Sequence, residues 1–145
     1  MNIDLSGKRV IITGASRGIG KAIAEAFAAD GAKVAICARN QQAVEDTAKQ
    51  LEVHAESVIA RSVDVTDTAA VQSFVAEVAN AWGSVDVLVN NAGQGKGGNL
   101  DTLTPEEILA HANVLQMGHF RFVQAVLPHM RKQRWGRIIE INALA

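Results

Sequence analysis

The sequence predicts a doubly wound α/β fold, in which a parallel β-sheet is covered by helices on both faces. Short apolar runs rich in valine and isoleucine alternate with longer stretches of helical periodicity, a pattern typical of repeated strand–helix units. A glycine-rich turn joins the first apolar run to the first helical stretch. The length of 145 residues and the hydrophobic content of 48% indicate one domain over residues 1–145.

Five strands follow from the apolar runs. They are predicted at Arg9–Thr13, Lys33–Ala38, Ser57–Val63, Val85–Asn90 and Arg137–Ile141. Right-handed crossovers between parallel strands give the order 3-2-1-4-5. A ligand is expected where this order reverses, at the carboxyl ends of the strands.

The first three helices are marked by their ends. The first is predicted over Lys21–Asp30, with Gly31 as its C-terminal stop. Asn40 and Asp67 are placed to cap the second and third helices, because their side chains accept hydrogen bonds from unpaired amides.

The fourth helix has the clearest start. Thr104 and Glu107 form a capping-box pair, and Pro105 takes the first helical position, where no amide donor is needed. Pro128 is expected to kink or end this helix. The basic stretch 131–134 that follows is interpreted as a complement to the helix dipole rather than an anion site.

The turn Thr13–Gly20 predicts a dinucleotide site. Its glycines follow the spacing Gly-x-x-x-Gly-x-Gly between a strand and a helix, so that a pyrophosphate can rest on backbone amides. A purely structural turn is the alternative. The second strand ends at Arg39, about twenty residues further on, where an NAD-selective site places a carboxylate. A guanidinium fits a 2′-phosphate instead, and Arg17 is placed to reach the same group, which predicts NADP(H).

The turn Thr13–Gly20 is one of several family-like motifs; the others are Asp64, Asn90–Gly93 and Gly136–Ile139. Together these motifs make the chain resemble, over its whole length, the Rossmann-type N-terminal part of the short-chain dehydrogenase/reductase family. The resemblance implies hydride transfer between a nicotinamide and a small-molecule carbonyl or alcohol, and self-association into a homo-oligomer through the fourth helix. It implies these cofactor contacts: Gly14, Ser16, Arg17, Gly18, Ile19 and Gly20 at the phosphates, Arg39 and Asn40 at the 2′-phosphate, Asp64 and Val65 at the adenine, and Asn91, Ala92 and Gly93 along the ribose nearer the nicotinamide. For Asp64, a simple loop-capping role is the alternative.

The catalytic positions depart from the family pattern. Members of the family use a tyrosine and a lysine four residues later, yet this chain contains no tyrosine. Ala143 occupies the position of the expected serine and Leu115 that of the expected helical asparagine. Asn142 and Asn113 are near in sequence, but in a regular strand or helix they face other directions, unless an insertion or a helical bulge shifts them. The cofactor-binding part of an enzyme, inactive alone, is therefore expected; a non-catalytic NADP(H)-binding protein or sensor and an inert structural fragment are the alternatives.

Composition excludes several other classes. The formal charge of −1 is spread along the chain, which argues against nucleic acid or a membrane surface as partner. No apolar run is long enough to cross a bilayer, so a cytoplasmic location is expected. Cys37 is the only cysteine and is predicted to be buried. The four histidines lack metal-ligand spacing, so no metal site is predicted.

Overall fold

The structure, a computed structural model, describes residues 4–93, 98–99 and 101–142. It contains a five-stranded parallel sheet in the order β3-β2-β1-β4-β5, which confirms the predicted order and the Rossmann-type α/β fold. The strands are β1 Arg9–Thr13, β2 Lys33–Ala38, β3 Ser57–Ser62, β4 Val87–Asn90 and β5 Arg137–Glu140.

The central strand β1 places alternate side chains in two separate cores. Ile11 belongs to the core beneath one set of helices, where Phe74 and Phe122 pack edge to face. Its neighbours Val10 and Ile12 belong to the core on the opposite face. Because neighbouring side chains of a strand point to opposite faces, this division explains why the inner strands carry apolar residues at successive positions between their ends.

The helices surround this sheet, and three of them begin at the caps that the sequence predicts. They are α1 Gly18–Ala29, α2 Gln41–Leu51, α3 Thr68–Trp82, α4 Pro105–Ala112 and α5 His119–Gln133, with a π-helical segment, Asn113–Gly118, between α4 and α5. Asn40 accepts a hydrogen bond from the amide of Ala43 at 2.9 Å, and Asp67 accepts one from Ala70 at 3.0 Å. The capping box of Thr104 and Glu107 is also present.

The helix that was predicted to start at Lys21 begins earlier. The amide of Lys21 donates to the carbonyl of Arg17 at 3.3 Å, so the first helical turn already encloses the last residues of the glycine-rich turn, and α1 begins at Gly18.

Three predicted strand ends were wrong by one or two residues. Strands β3 and β5 end at Ser62 and Glu140, because the strands that they pair with end opposite them. Strand β4 begins at Val87 rather than Val85, since Asp86 is held by its own contacts with Arg9.

The predicted fourth helix is divided, and Pro128 does not end it. The π-helical segment separates α4 from α5, and α5 continues past Pro128 to Gln133. Proline removes the hydrogen bond to the carbonyl of Gln124, but both residues lie on the exposed face, where water can solvate that carbonyl. Arg131 and Lys132 lie in the last turn, as a dipole complement requires.

Cys37 lies fully buried in β2, as predicted. Among the residues described, no helix combines the length and hydropathy that a membrane crossing requires.

Candidate nucleotide-binding site

A cavity of about 710 Å³ lies at the carboxyl ends of the central strands, where the strand order reverses. It brings together every predicted cofactor residue except Gly20. The predicted residues that line it are Gly14, Ser16, Arg17, Gly18, Ile19, Arg39, Asn40, Asp64, Val65, Asn91, Ala92 and Gly93. The predicted residues thus share one cleft, at the place that the topology indicates for a ligand.

Two glycines allow the turn to pack against the end of β4. Gly14 has a φ of +65°, and a Cβ there would lie 2.8 Å from the Cα of Ala92. A Cβ on Gly20 would overlap the side-chain nitrogen of Asn91 and the carbonyl oxygen of Gly14. Gly20 therefore lies behind the turn rather than in the cavity, and its contribution is close packing.

Thr13 and Asn91 join the turn to the β4 end. The buried hydroxyl of Thr13 accepts hydrogen bonds from the amides of Asn91 and Ala92, at 3.0 Å and 2.9 Å. The side-chain nitrogen of Asn91 donates in return to the carbonyls of Thr13 and Gly14, both at 3.1 Å. Sequence reasoning missed this role of Thr13, for which the only signal was a polar residue at the end of an apolar strand.

The N-terminus of α1 lacks the cap that other helices have. Its N-cap residue is Arg17, which makes no side-chain hydrogen bond to the helix, whereas Asn40, Asp67 and Thr104 all cap theirs. The first amides of a helix have no partner within it and carry a partial positive charge. Because Gly18 and Ile19 line the cavity, this uncapped end can bind an anion there.

Two arginines line the same cavity. Arg17 and Arg39 are exposed, and neither guanidinium forms an ion pair within the part of the chain that the structure describes. The backbone beneath Arg39 is fixed, because its carbonyl accepts a hydrogen bond from the hydroxyl of Ser62 at 2.8 Å. The strand end is therefore ordered while the guanidinium stays available to a ligand.

Asp64 follows β3 and carries a charged carboxylate. Its Oδ1 accepts hydrogen bonds from the amide and the hydroxyl of Thr66, at 2.9 Å and 2.8 Å. These bonds lower the pKa of Asp64, and the positive charges of Arg39 and Arg121 lower it further. Asp64 thus caps its own loop, as the alternative for it proposed, while it also lines the cavity.

The π-helical segment closes the other side of the cavity. Asn113 and Val114 line it together with Ala110, one helical turn earlier, so Asn113 faces the cleft although it was expected to face away. The π-helical segment begins at Asn113, and such segments are frequent at functional sites. Arg121 fixes Asn113, donating to its Oδ1 at 2.8 Å, and also donates to the carbonyl of Val65 at 3.3 Å.

Leu115 lies against the end of the β4 loop. Its Cδ2 would be 3.2 Å from a Cβ added to Gly93, so an apolar side chain occupies the place where the resemblance expects an asparagine. The other departure, Ala143, lies outside the described residues.

Burial raises the pKa of Cys37 to about 12, so its thiol is not a nucleophile for this site. Among the described residues, no cluster of histidine, cysteine and acidic side chains is suited to a metal ion.

Comparison with known proteins decides the family. A family model described as short chain dehydrogenase matches residues 8–145. The chain belongs to the short-chain dehydrogenase family. It is 36% identical over 140 residues to the oxidoreductase UcpA of Salmonella typhimurium, covering 97% of this chain and 53% of that protein. It is also 36% identical over 142 residues to the 3-oxoacyl-[acyl-carrier-protein] reductase FabG of Escherichia coli, covering 98% of this chain and 57% of that protein. The chain therefore spans little more than half the length of these relatives.

Solved structures give the same result for the fold. A metagenomic short-chain oxidoreductase in complex with NADP superimposes with a TM-score of 0.91 at 35% identity, over 99% of this chain and 65% of that one. L-sorbose reductase from Gluconobacter frateurii, complexed with NADPH and L-sorbose, also gives 0.91 at 35% identity, over 97% of this chain and 54% of that one.

Proposed function

We propose that this chain is the NADP(H)-binding part of a short-chain oxidoreductase that reduces carbonyl groups or oxidises alcohols by hydride transfer. The observation that carries the proposal is the pair Arg17 and Arg39, two cations that form no ion pair with other described residues. They line a cavity that an uncapped helix N-terminus also lines. Family membership and the NADP-bound neighbours support it. The proposed assembly is a cytoplasmic homo-oligomer that acts on a small molecule.

The residues fit a dinucleotide by their chemistry. The glycine-rich turn and the amides of α1 offer donors to a pyrophosphate, and Arg39 with Asn40 would bind the 2′-phosphate. Asp64 and Val65 would flank the adenine, and Asn91–Gly93 would lie along the ribose nearer the nicotinamide. The bound nicotinamide would supply or accept the hydride. The sequence contains no tyrosine, so the family's proton donor is not among these 145 residues.

Cofactor selectivity tests this proposal. In fluorescence titrations of the intact protein, NADPH should bind about tenfold or more tightly than NADH, because a phosphate–guanidinium contact contributes about 1.5–3 kcal/mol. Arg39→Asp should narrow or reverse that preference. Arg131→Asp makes the same change of charge on the exposed last turn of α5, away from the cavity, and should leave it unchanged. Equal affinities for NADPH and NADH in the unmodified protein would contradict the proposal.

A non-catalytic NADP(H) sensor is the second candidate, and Leu115 is the observation that favours it. An apolar side chain against Gly93 supplies no hydrogen bond to a proton-transfer chain. The two candidates separate when NADPH binding and NADPH consumption are measured together on the intact protein with a panel of ketones and aldehydes. Consumption supports the oxidoreductase, and tight binding without consumption supports the sensor if the protein assayed also contains the tyrosine that these 145 residues lack.

A further inference from the structure

A polar cluster lies behind the Asn91–Gly93 wall of the cavity, where β4, β5 and α5 meet. It consists of Asn90, His119, Glu140 and the carbonyl of Ala92. Asn90 and His119 are buried, and the Glu140 side chain retains 38% of its exposure. None of the roles proposed above uses His119 or Glu140.

The imidazole of His119 lies between two oxygens. Its Nδ1 is 2.6 Å from Oε2 of Glu140, and its Nε2 is 3.0 Å from the carbonyl oxygen of Ala92. The side-chain nitrogen of Asn90 donates to Oε1 of Glu140 at 2.7 Å and to the carbonyl of His119 at 3.3 Å. Oδ1 of Asn90 is buried and has no partner among the described residues. Acceptors therefore outnumber donors in this cluster.

The geometry fixes how many protons the pair carries. A backbone carbonyl only accepts hydrogen bonds, an ionised carboxylate only accepts them, and a neutral imidazole has a single N–H. Both contacts of His119 can form only if the pair holds one more proton than neutral histidine and ionised glutamate have together. That proton lies either on the imidazole, giving an imidazolium and a carboxylate, or on Glu140, which then donates to Nδ1.

We propose that His119 and Glu140 share this proton and act as a positioning pair, holding the Ala92 carbonyl and with it the wall nearest the nicotinamide. The pair would act through the backbone and would not touch substrate. Without this proton, one N–H faces two acceptors and one contact is lost. NADPH affinity therefore depends on the shared proton. The link to NADPH rests on the proposed function, whereas the shared proton does not.

Among the described residues, no neighbouring charge can replace the pair. Strand β4 and the π-helical segment carry no charged side chains. On α5, Arg121 is bound to Asn113, Val65 and Thr68. On β5, the guanidinium of Arg137 lies over the ring of Trp135, 5.0 Å from its centroid. On α3, Glu77 binds Arg61.

Glu140→Gln provides a sharp test, because it keeps the shape of the pair and removes the need for a shared proton. The amide nitrogen of glutamine can donate to Nδ1, its oxygen can accept from Asn90, and neutral His119 can then donate from Nε2 to Ala92. In the intact unmodified protein, the dissociation constant for NADPH should rise about five- to tenfold between about pH 6.5 and pH 9.5, the loss expected for one buried hydrogen bond. In Glu140→Gln, the rise in the dissociation constant should be at least threefold smaller. Protonation of the 2′-phosphate affects both proteins equally, so it cannot account for a difference between them.

Nitrogen-15 NMR of the histidine rings tests the shared proton without any cofactor. At about pH 6.5, both ring nitrogens of His119 should carry or share protons in the unmodified protein. In Glu140→Gln, one protonated and one bare nitrogen should appear. His119→Gln identifies the signal among those of His54, His111 and His129.

The outcomes separate the two proposals. A bare nitrogen on His119 at pH 6.5 in the unmodified protein, together with the same pH profile of NADPH binding in both proteins, overturns the positioning pair. If NADPH fails to bind but the ring nitrogens show the shared proton, the proposed function fails and the shared proton is supported.

Discussion

The two ends of the central strand β1 carry polar clusters of opposite character. At its amino end, Arg9, Asp86 and Gln133 form what we call the amino-end cluster. At its carboxyl end, Thr13, Asn90 and Asn91 belong to the carboxyl-end cluster, which also contains His119 and Glu140. Each cluster connects β1 and α5 through residues in β4 or next to it.

The amino-end cluster has its donors and acceptors matched. Arg9 donates from Nε and Nη2 to the two carboxylate oxygens of Asp86, both at 2.8 Å, and from Nη2 to Gln133 at 2.8 Å. Gln133 donates in turn to the carbonyl of Val85 at 3.0 Å. The cluster lines no part of the nucleotide cavity. We infer that this end of the sheet contributes stability.

The carboxyl-end cluster is less completely matched. Within the described residues, the buried side-chain oxygen of Asn90 has no hydrogen-bond partner, and the helix α1 that follows the glycine-rich turn starts without a side-chain cap. From this difference we infer that the two ends of β1 serve different purposes. Stability and ligand binding should therefore respond to different substitutions.

The largest effect is expected from Gly14→Ala at the carboxyl end. The new Cβ would meet the Cα of Ala92 at 2.8 Å, and alanine is strained at a φ of +65°. The free energy of unfolding should fall by about 3–5 kcal/mol, and NADPH affinity should fall with it. Chemical denaturation and fluorescence titration measure the two.

Gly83→Ala at the amino end is the matched control. Gly83 has a φ of +85°, but the nearest atom to a new Cβ is 3.8 Å away, on the flexible side chain of Arg9. Only the backbone strain remains, so the loss should be about 1 kcal/mol with unchanged NADPH affinity. Equal losses at the two glycines would contradict the close-packing argument for Gly14.

Asp86→Asn should lower the free energy of unfolding by about 3 kcal/mol, because it leaves the guanidinium of Arg9 without its charged partner. NADPH affinity of the folded protein should not change. If Asp86→Asn weakens NADPH binding while the protein remains folded, the proposed division between the two ends is wrong.

The loss in Asp86→Asn should also depend on pH. Burial raises the pKa of Asp86, but the hydrogen bonds and the charge of Arg9 outweigh it, so the net pKa is lowered. A lowered pKa stabilises the folded state above about pH 4, the ordinary carboxyl value, and that stabilisation is lost as the pH falls through the folded-state pKa. The difference in unfolding free energy between the two proteins should therefore shrink in acid.

A smaller effect is expected from Thr13→Val, which keeps the size of the side chain and removes its hydroxyl. The amides of Asn91 and Ala92 lose their acceptor, so the free energy of unfolding should fall by about 2 kcal/mol. NADPH binding should weaken as well, since both residues line the cavity. Thr13→Ser retains the hydroxyl and should recover most of both losses.

Local signals in the sequence were enough for much of this picture. Alternating apolar and amphipathic stretches predicted the strand order, and side-chain chemistry predicted the caps at Asn40, Asp67 and Thr104. The position of Arg39 after β2 followed from the spacing to the glycine-rich turn. All of these depend on neighbours in sequence or on the regular geometry of the fold.

What sequence reasoning missed depends on contacts between distant residues. Thr13 contacts Ala92 across 79 positions, and His119 contacts Ala92 across 27. The π-helical segment lies where Gly118 packs against Val65 and Arg121 binds Asn113, contacts that neighbours in sequence do not indicate. The cofactor contacts themselves stay predictions.

Because Cys37 is buried, the rate at which its thiol reacts with a reagent can be used to follow local opening of the protein. The carbonyl of Cys37 accepts hydrogen bonds from Gly14 and Ala15, at 2.8 Å and 3.3 Å, and its thiol is in hydrogen-bond contact with the backbone of Gly14, so Cys37 lies against the glycine-rich turn. With one cysteine in the sequence, every molecule of a thiol reagent that reacts marks the same place. The reaction rate would therefore measure how often the turn and β2 separate, and a ligand held by the turn would slow it.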